Sequence, residues 1–302
     1  MYSFILFLVI FCSVLSITEV PVHGMWDESS EYVQALWKNT VRKQTGKLST
    51  HETEHVFTAG TAEPKLLETI GKAAERAVVY AQKSVGYDKK PVERDNQPMS
   101  DRPVQWEGKL MVLACRERQE FNELFSKLKQ SRPQQDEKGV AIHEKGKTLI
   151  LLDASTTQTQ QRATIRAVEL AGAATMTRRH ETIPNWFATA FGRTLAYRFD
   201  AKAFATERGK VPYWAAKVHV RDLLQEDNSA IPAETLLPMQ ASMVECLAQS
   251  PQFQEKWFLL LDELSFRGGN LYSALEEQGI KLEALQINWK NSLWKQPEPR
   301  SK

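Results

Sequence analysis

Strand-like patterns are confined to the first half of this 302-residue chain, and this limits the possible folds. Apolar runs typical of strands occur at residues 51–60, 109–115 and 139–153, alternating with helical patterns at 64–86 and 116–130. From Thr156 the spacing is helical, with breaks expected at Pro184, Gly209, Pro232, Pro238 and Gly268–Gly269. This order predicts an α+β fold, with a small mixed sheet followed by a mainly helical C-terminal half.

Several element boundaries follow from the same pattern. Helical spacing predicts a helix from Ser30 to Val41. A long helix should begin at Pro64 and end at Gly86, because proline suits the first turn and glycine the C-terminal cap. Residues 88–103 are charged and contain three prolines, which predicts an exposed loop. Lys145-Gly146-Lys147 separates two short apolar runs and predicts a β-hairpin.

The first residues differ from the rest in composition. Residues 4–15, FILFLVIFCSVL, form an apolar run too short to span a membrane comfortably and suited to a signal peptide. Residues 1–24 are therefore expected to direct export to the periplasm or the extracellular space, with cleavage after Ser16 or Gly24. No lysine or arginine precedes the run, so an uncleaved anchor or a buried N-terminal helix remains an alternative.

Charge and cysteine content exclude some roles and leave others open. The net charge is +2 and both signs are interspersed, so no nucleic-acid partner is expected. No membrane contact beyond the N-terminal segment is expected either, and a monomer is assumed. Cys115 and Cys246 lie in apolar runs and should be buried. Whether the two cysteines form a disulfide is left open.

Residues 51–55, His-Glu-Thr-Glu-His, match H-E-x-x-H, the signature of zinc peptidases. The signature requires a helix, because only there do both imidazoles reach one metal. Here the middle positions, Thr53 and Glu54, are polar, and the segment continues into an alternating Val-Phe-Thr pattern. A half-exposed first strand is therefore predicted, although Ser49 and Glu52 could cap a short helix. The alternative, a zinc site on His51 and His55, requires residues 51–55 to be helical.

A second segment carries a family resemblance. Residues 163–198, ATIRAVELAGAATMTRRHETIPNWFATAFGRTLAYR, read as a helix, a short loop and a helix that begins at a proline. The segment resembles the gluzincin metallopeptidases, in particular the secreted peptidase-MA-like group, in which H-E-x-x-H is followed by a loop and lPxWlxEGlAey. The C-terminal LYSALEEQGIKLEALQINWKNSLW also resembles the tail of that family. Residues 50–295 align with it in order, which implies a zincin-like sheet.

The resemblance places the catalytic positions on residues that cannot bind zinc. The first histidine corresponds to Val168, the general base to Glu169, the second histidine to Gly172, and the third ligand to Thr189. Valine and glycine offer no ligand atom, and a neutral hydroxyl is a poor zinc ligand. No metal and no cofactor are expected, and Glu169 is interpreted as a carboxylate on the polar side of its helix, paired with Arg166 or Arg162.

The cleft of such a fold would be lined by Pro184, Trp186 and His180, the last interpreted as a solvated loop histidine. Five segments are expected: a signal peptide or anchor at 1–24, a helical lead-in at 25–49, a gluzincin-like α+β domain at 50–200, a helical subdomain at 201–297 and a tail at 298–302.

Three functions follow from the resemblance. The first is an exported, inactive pseudopeptidase that holds a peptide or protein segment in the former active-site cleft, where an extended peptide could add to a sheet edge. The second is an active zinc peptidase that uses His51, His55 or unforeseen ligands. The third is a structural or interaction protein in which a hydrophobic cluster of Val168, Ala171 and Phe187 occupies the metal position.

Overall fold

The computed structural model describes residues 28–44, 46–87, 108–144, 147–180, 182–224 and 231–294. Its strands are β1 (Ser49–Glu52), β2 (Val56–Gly60), β3 (Leu110–Cys115), β4 (Gly139–Glu144) and β5 (Lys147–Asp153). The helices of the first half are α1 (Ser30–Thr40), α2 (Pro64–Val85), α3 (Arg118–Lys129) and α4 (Thr157–Arg179). The remaining helices are α5 (Asn185–Phe199), α6 (Ala205–Ala215), α7 (Val220–Leu223), α8 (Ala233–Gln249), α9 (Pro251–Gln254), α10 (Trp257–Phe266), α11 (Leu271–Glu277) and α12 (Leu282–Trp294).

The strands form one mixed sheet in the order β1-β2-β3-β5-β4. Strands β2, β3 and β5 are parallel to one another, and β1 and β4 are antiparallel to their neighbours. Helix α2 connects β2 to β3, as a parallel pair requires a crossover. The predicted α+β class, with a small mixed sheet and a mainly helical second half, is confirmed.

Both faces of the sheet are covered by helices, which explains why its central strands are continuously apolar. In β3, Leu110, Val112 and Ala114 belong to a core shared with α2 and α4. The alternate residues, Met111, Leu113 and Cys115, belong to a second core shared with α1 and α3. Successive side chains of a strand point to opposite faces, so every position of a central strand is buried.

The two cysteines lie in different cores. Cys115 packs on the α1–α3 side of the sheet, and Cys246 belongs to the helical core. Both thiols are buried and free, so the disulfide left open by the sequence is not formed. Burial raises the pKa of the Cys246 thiol to about 11.

Most helix boundaries agree with the sequence prediction. Helix α2 begins at Pro64 and ends with Gly86 in the left-handed conformation. Pro184 and Pro232 each precede a helix, and Gly268–Gly269 separates α10 from α11. The breaks predicted at Gly209 and Pro238 are wrong, because α6 continues through Gly209 and α8 contains Pro238. A glycine lowers the stability of a helix by about 1 kcal/mol relative to alanine, and tertiary packing readily offsets that loss.

Residues 51–60 were predicted as one strand and are in fact two. Strand β1 pairs with β2 through His51↔Thr58 and Glu52↔Phe57, and residues 53–55 form the connecting turn. The expected signal peptide, the loop at 88–103, the hairpin tip at 145–146 and the tail at 298–302 lie outside the described residues. Within the described ranges, no helix is both long and apolar enough to cross a membrane.

Candidate functional site

Glu169 lies on α4 between two arginines. Its side chain is 3% exposed, with Oε2 2.8 Å from Nη1 of Arg166 and Oε1 3.1 Å from Nε of Arg193. Arg166 is one helical turn away on α4, whereas Arg193 comes from α5. The predicted pairing with Arg166 is confirmed, and Arg193 is a partner that the sequence did not reveal. The carboxylate that the resemblance aligns with a general base is thus paired with two cations.

Gly172 lies where α4 crosses α5 at close range. A Cβ atom at Gly172 would stand 2.6 Å from Cδ1 of Leu195 and 3.3 Å from Cα of Gly192. On the opposite helix, a Cβ atom at Gly192 would overlap the carbonyl oxygen of Glu169 and stand 3.1 Å from the amide nitrogen of Ala173. Two glycines therefore allow the two backbones to touch. An imidazole at position 172 would require the Leu195 side chain to move and Gly192 to give way by a few tenths of an ångström.

Val168, which the resemblance aligns with the first histidine, also lies in a packed core. Val168, Ala171 and Phe187 are at most 2% exposed and belong to one hydrophobic core. Thr189 is half-buried on α5, six residues before Leu195. Six residues correspond to about 9 Å along the helix and roughly two thirds of a turn around it. Leu195, and not Thr189, is therefore the α5 residue that faces Gly172.

The predicted cleft residues have different surroundings. Pro184 and Trp186 are half-buried at the start of α5, and the Trp186 ring makes an edge-on contact with Phe187 at 5.5 Å. His180 is 1% exposed, with Nε2 3.4 Å from the carbonyl oxygen of Val85. The prediction of a solvated loop histidine is wrong, because the end of α4 packs against the end of α2. Sequence spacing could not reveal that contact.

Strand β4 forms one edge of the sheet beside α4. The amide of Asp153 donates to the carbonyl of Lys138, so residues 138, 140 and 142 direct their main-chain groups toward β5. Residues 139, 141 and 143 then direct theirs away from it. In agreement, the carbonyl of Gly139 accepts a hydrogen bond from Nη2 of Arg166 at 3.2 Å. No described strand pairs with this edge.

The H-E-x-x-H segment does not have zincin geometry. His51 lies in β1 and faces α2, close enough that a Cβ atom at Gly71 would stand 2.8 Å from its Cδ2. His55 lies in the turn that leads into β2, where its carbonyl oxygen accepts a hydrogen bond from Leu110. Residues 51–52 are therefore in a strand, as predicted, residues 53–55 form a turn that was not predicted, and none of them is in the helix that the zinc alternative requires.

Glu75 of α2 holds this turn in place. Its Oε2 accepts hydrogen bonds from Oγ1 of Thr53 at 2.6 Å and from the amide of His55 at 2.9 Å. Its Oε1 lies 2.6 Å from Nδ1 of His55. Burial by itself raises the pKa of Glu75, but these hydrogen bonds outweigh it and hold the pKa below its ordinary value.

His55 and Glu75 also belong, with Glu54, to the only group of three potential metal ligands found among the described parts of the chain. One ligand atom each from Glu54, His55 and Glu75 lie within 4.8 Å of one another, and Glu54 is exposed. Both Glu75 oxygens already bind the turn, however, so a metal would have to displace those bonds. The arrangement is explained by a structural role, in which Glu75 stabilises the β1–β2 turn.

Comparisons with known proteins give no relative. No protein-family description, no curated protein and no solved structure matches the chain.

Proposed function

We propose that the chain is an exported, catalytically inactive protein with a gluzincin-like fold that holds an extended peptide or protein segment without cleaving it. The observation that carries this proposal is the α4–α5 crossing. Leu195 and Gly192 occupy the space that a ligand side chain at position 172 would need. A ligand side chain at position 172 would require Leu195 to move and Gly192 to give way slightly.

The local electrostatics support the same conclusion. A zinc ion needs three protein ligands and an adjacent base. Val168 and Gly172 offer no ligand atom, and Thr189 offers only a neutral hydroxyl. The carboxylate of Glu169 is already bound by Arg166 and Arg193, and two cations so close disfavour a divalent ion. The protein therefore has no means to activate a water molecule at this position.

A filled metal position still leaves the edge strand β4 for recognition. Residues 141 and 143 direct main-chain donors and acceptors away from the sheet, and Gly139 retains its amide donor there. An extended segment can add to such an edge through main-chain hydrogen bonds, with side chains contacting alternate positions. The burial of Val168, Ala171 and Phe187 in one core favours a structural or interaction role over a peptide in a deep cleft, so peptide recognition is assigned to the β4 edge.

A phage-displayed library of random peptides, selected for binding to the purified protein, tests this proposal. The Ala141→Pro variant serves as the counter-screen. Proline at 141 removes an outward amide and blocks close approach, while the bonds between β4 and β5 come from other residues. Peptides enriched on the wild-type protein should lose binding to the Ala141→Pro variant. Peptides that bind both proteins equally would exclude the β4 edge, and a failure to enrich any peptide would favour a purely structural role.

The alternative function is zinc-dependent peptide cleavage. The cluster of Glu54, His55 and Glu75 is the observation in its favour, because its ligand atoms converge. His51 does not join it and faces α2 instead. This alternative would be established, and the proposal overturned, if the wild-type protein bound zinc and cleaved casein and the Glu75→Gln variant no longer bound zinc.

A further inference from the structure

A small cavity lies on the side of α4 that faces α2. It has a volume of about 190 Å³ and is lined by Arg76, Ala77, Tyr80, Val168, Leu195, Arg198 and Phe199. Its floor is apolar and buried, formed by Ala77, Val168 and Leu195. Its rim is more polar, because Arg76 and Arg198 are exposed. The cavity is distinct from the β4 edge and does not depend on peptide binding there.

The two arginines are held by reciprocal stacking across the rim. The guanidinium carbon of Arg76, on α2, lies 5.2 Å from the centroid of the Phe199 ring on α5. The guanidinium carbon of Arg198, on α5, lies 5.1 Å from the centroid of the Tyr80 ring on α2. Such cation–π contacts place each guanidinium over an aromatic ring and leave its N–H groups available as donors.

No anion of the protein neutralises this pair. Within the described residues, neither Arg76 nor Arg198 has an ion pair or a hydrogen bond. By contrast, Arg166 on α4 and Arg193 on α5 are both paired with Glu169. Two preordered and uncompensated cations at the mouth of an apolar cavity form a site for an anion that carries an apolar group.

We infer that this cavity binds a carboxylate attached to a compact apolar group, such as a short-chain fatty acid or the C-terminal residue of a peptide. The carboxylate would accept hydrogen bonds from Arg76 and Arg198, since guanidinium and carboxylate match as planar donor and acceptor. The apolar group would rest on Ala77, Val168 and Leu195. At about 30 Å³ per water, the cavity corresponds to roughly six waters, which suits a chain of about four to six carbons.

The probe for this site is a series of straight-chain acids, acetate, butanoate and hexanoate, titrated into the full mature chain by calorimetry or ligand-observed NMR. Affinity should rise about fourfold for each methylene that enters the cavity. Hexylamine has the same chain with the opposite charge and should not bind. Inorganic phosphate, which supplies an anion without an apolar group, should bind at least about tenfold more weakly than hexanoate.

Two kinds of variant distinguish the contribution of the two arginines to binding from that of the apolar cavity floor. Arg76→Gln and Arg198→Gln should each weaken hexanoate binding about tenfold, because each removes a charged donor. Ala77→Leu should abolish binding by filling the cavity while leaving both arginines in place. Arg221→Gln, at an exposed arginine on α7, is the matched control and should bind hexanoate as the wild type does. Circular dichroism confirms that each variant is folded.

The source of the carboxylate is distinguished by two peptides that end in leucine, one with a free C-terminus and one amidated. Tighter binding of the free-acid peptide than of hexanoate identifies a peptide C-terminus. Binding of hexanoate with neither peptide identifies a small acid. The inference is overturned if hexylamine binds as well as hexanoate, if both arginine variants bind hexanoate normally, or if hexanoate fails to bind at roughly 10 mM, tenfold above a millimolar Kd.

Discussion

Gly192 lies directly against the backbone of Glu169, so closely that a Cβ atom at position 192 would overlap the Glu169 carbonyl oxygen. This contact joins α5 to α4, the helix on which the resemblance places a metallopeptidase base. It brings the backbones of the two helices into contact. The inactivity proposed for the chain rests on this packing as much as on the missing histidines.

Gly192→Ala should destabilise the protein strongly. The new methyl group meets backbone atoms, which cannot move without separating α4 from α5, and overpacking of this kind costs about 3 kcal/mol. Urea unfolding followed by circular dichroism measures the change. Gly209→Ala is the control, because nothing lies within 4 Å of a Cβ atom there and the residue is exposed in α6. It should raise the free energy of unfolding by about 0.5–1 kcal/mol. Equal effects of the two changes would refute the close crossing.

Glu169→Gln should lower the free energy of unfolding by about 2 kcal/mol, because it leaves Arg166 and Arg193 facing each other across a neutral group. A residue kept only for catalysis behaves differently, since its removal leaves stability unchanged or increases it. Denaturant unfolding at neutral pH separates the two cases. Glu68→Gln, which removes an exposed pair with Lys72, should leave the free energy of unfolding nearly unchanged.

Restoring the family signature should not restore a metal site. The double variant Val168→His, Gly172→His recreates H-E-x-x-H in α4, but the second imidazole collides with Leu195. We expect a loss of about 3 kcal/mol in stability and no zinc retained after dialysis. Adding Leu195→Ala should recover part of the stability by making room for the imidazole. A stable double variant that holds one zinc would show that the crossing is far more adaptable than proposed.

Glu75 should contribute to stability above acidic pH. Its folded-state pKa is lowered, so its contribution is fully present above the unfolded pKa of about 4.3 and is lost as the pH falls through the folded pKa. Glu75→Gln should cost about 1 kcal/mol at neutral pH and should flatten the acid side of the stability profile. Urea midpoints measured from neutral pH to pH 3 provide the comparison. The exposed Glu255→Gln should leave the acid slope as it is in the wild type.

Local patterns predicted the elements better than their contacts. The apolar stripe and terminal glycine of α2, the continuous apolar run of β3 and the hairpin of β4 and β5 are local features, and each is present as predicted. The split of residues 51–60 into two strands was missed, because the turn depends on Glu75, some twenty residues away in sequence.

The contacts that define the site are long-range. Arg193 reaches Glu169, and Leu195 reaches Gly172, only because α4 and α5 cross at two glycines. Nothing in the spacing of either helix specifies that crossing. The burial of His180 depends in the same way on the end of α2. The break predicted at Pro238 does not occur, because α8 is buried before the proline at Thr235 and after it at Met239, Ala241 and Met243.

The absence of a metal site is tested most directly by the metal content of the purified protein, expressed without a polyhistidine tag and dialysed mildly against zinc. We expect a zinc content near zero, equal to that of the Glu75→Gln variant. About one zinc per chain would contradict it, because structural and catalytic zinc sites bind tightly enough to survive dialysis. If that zinc were lost in Glu75→Gln, the metal would be assigned to the β1–β2 turn; if it were retained, to ligands elsewhere in the chain.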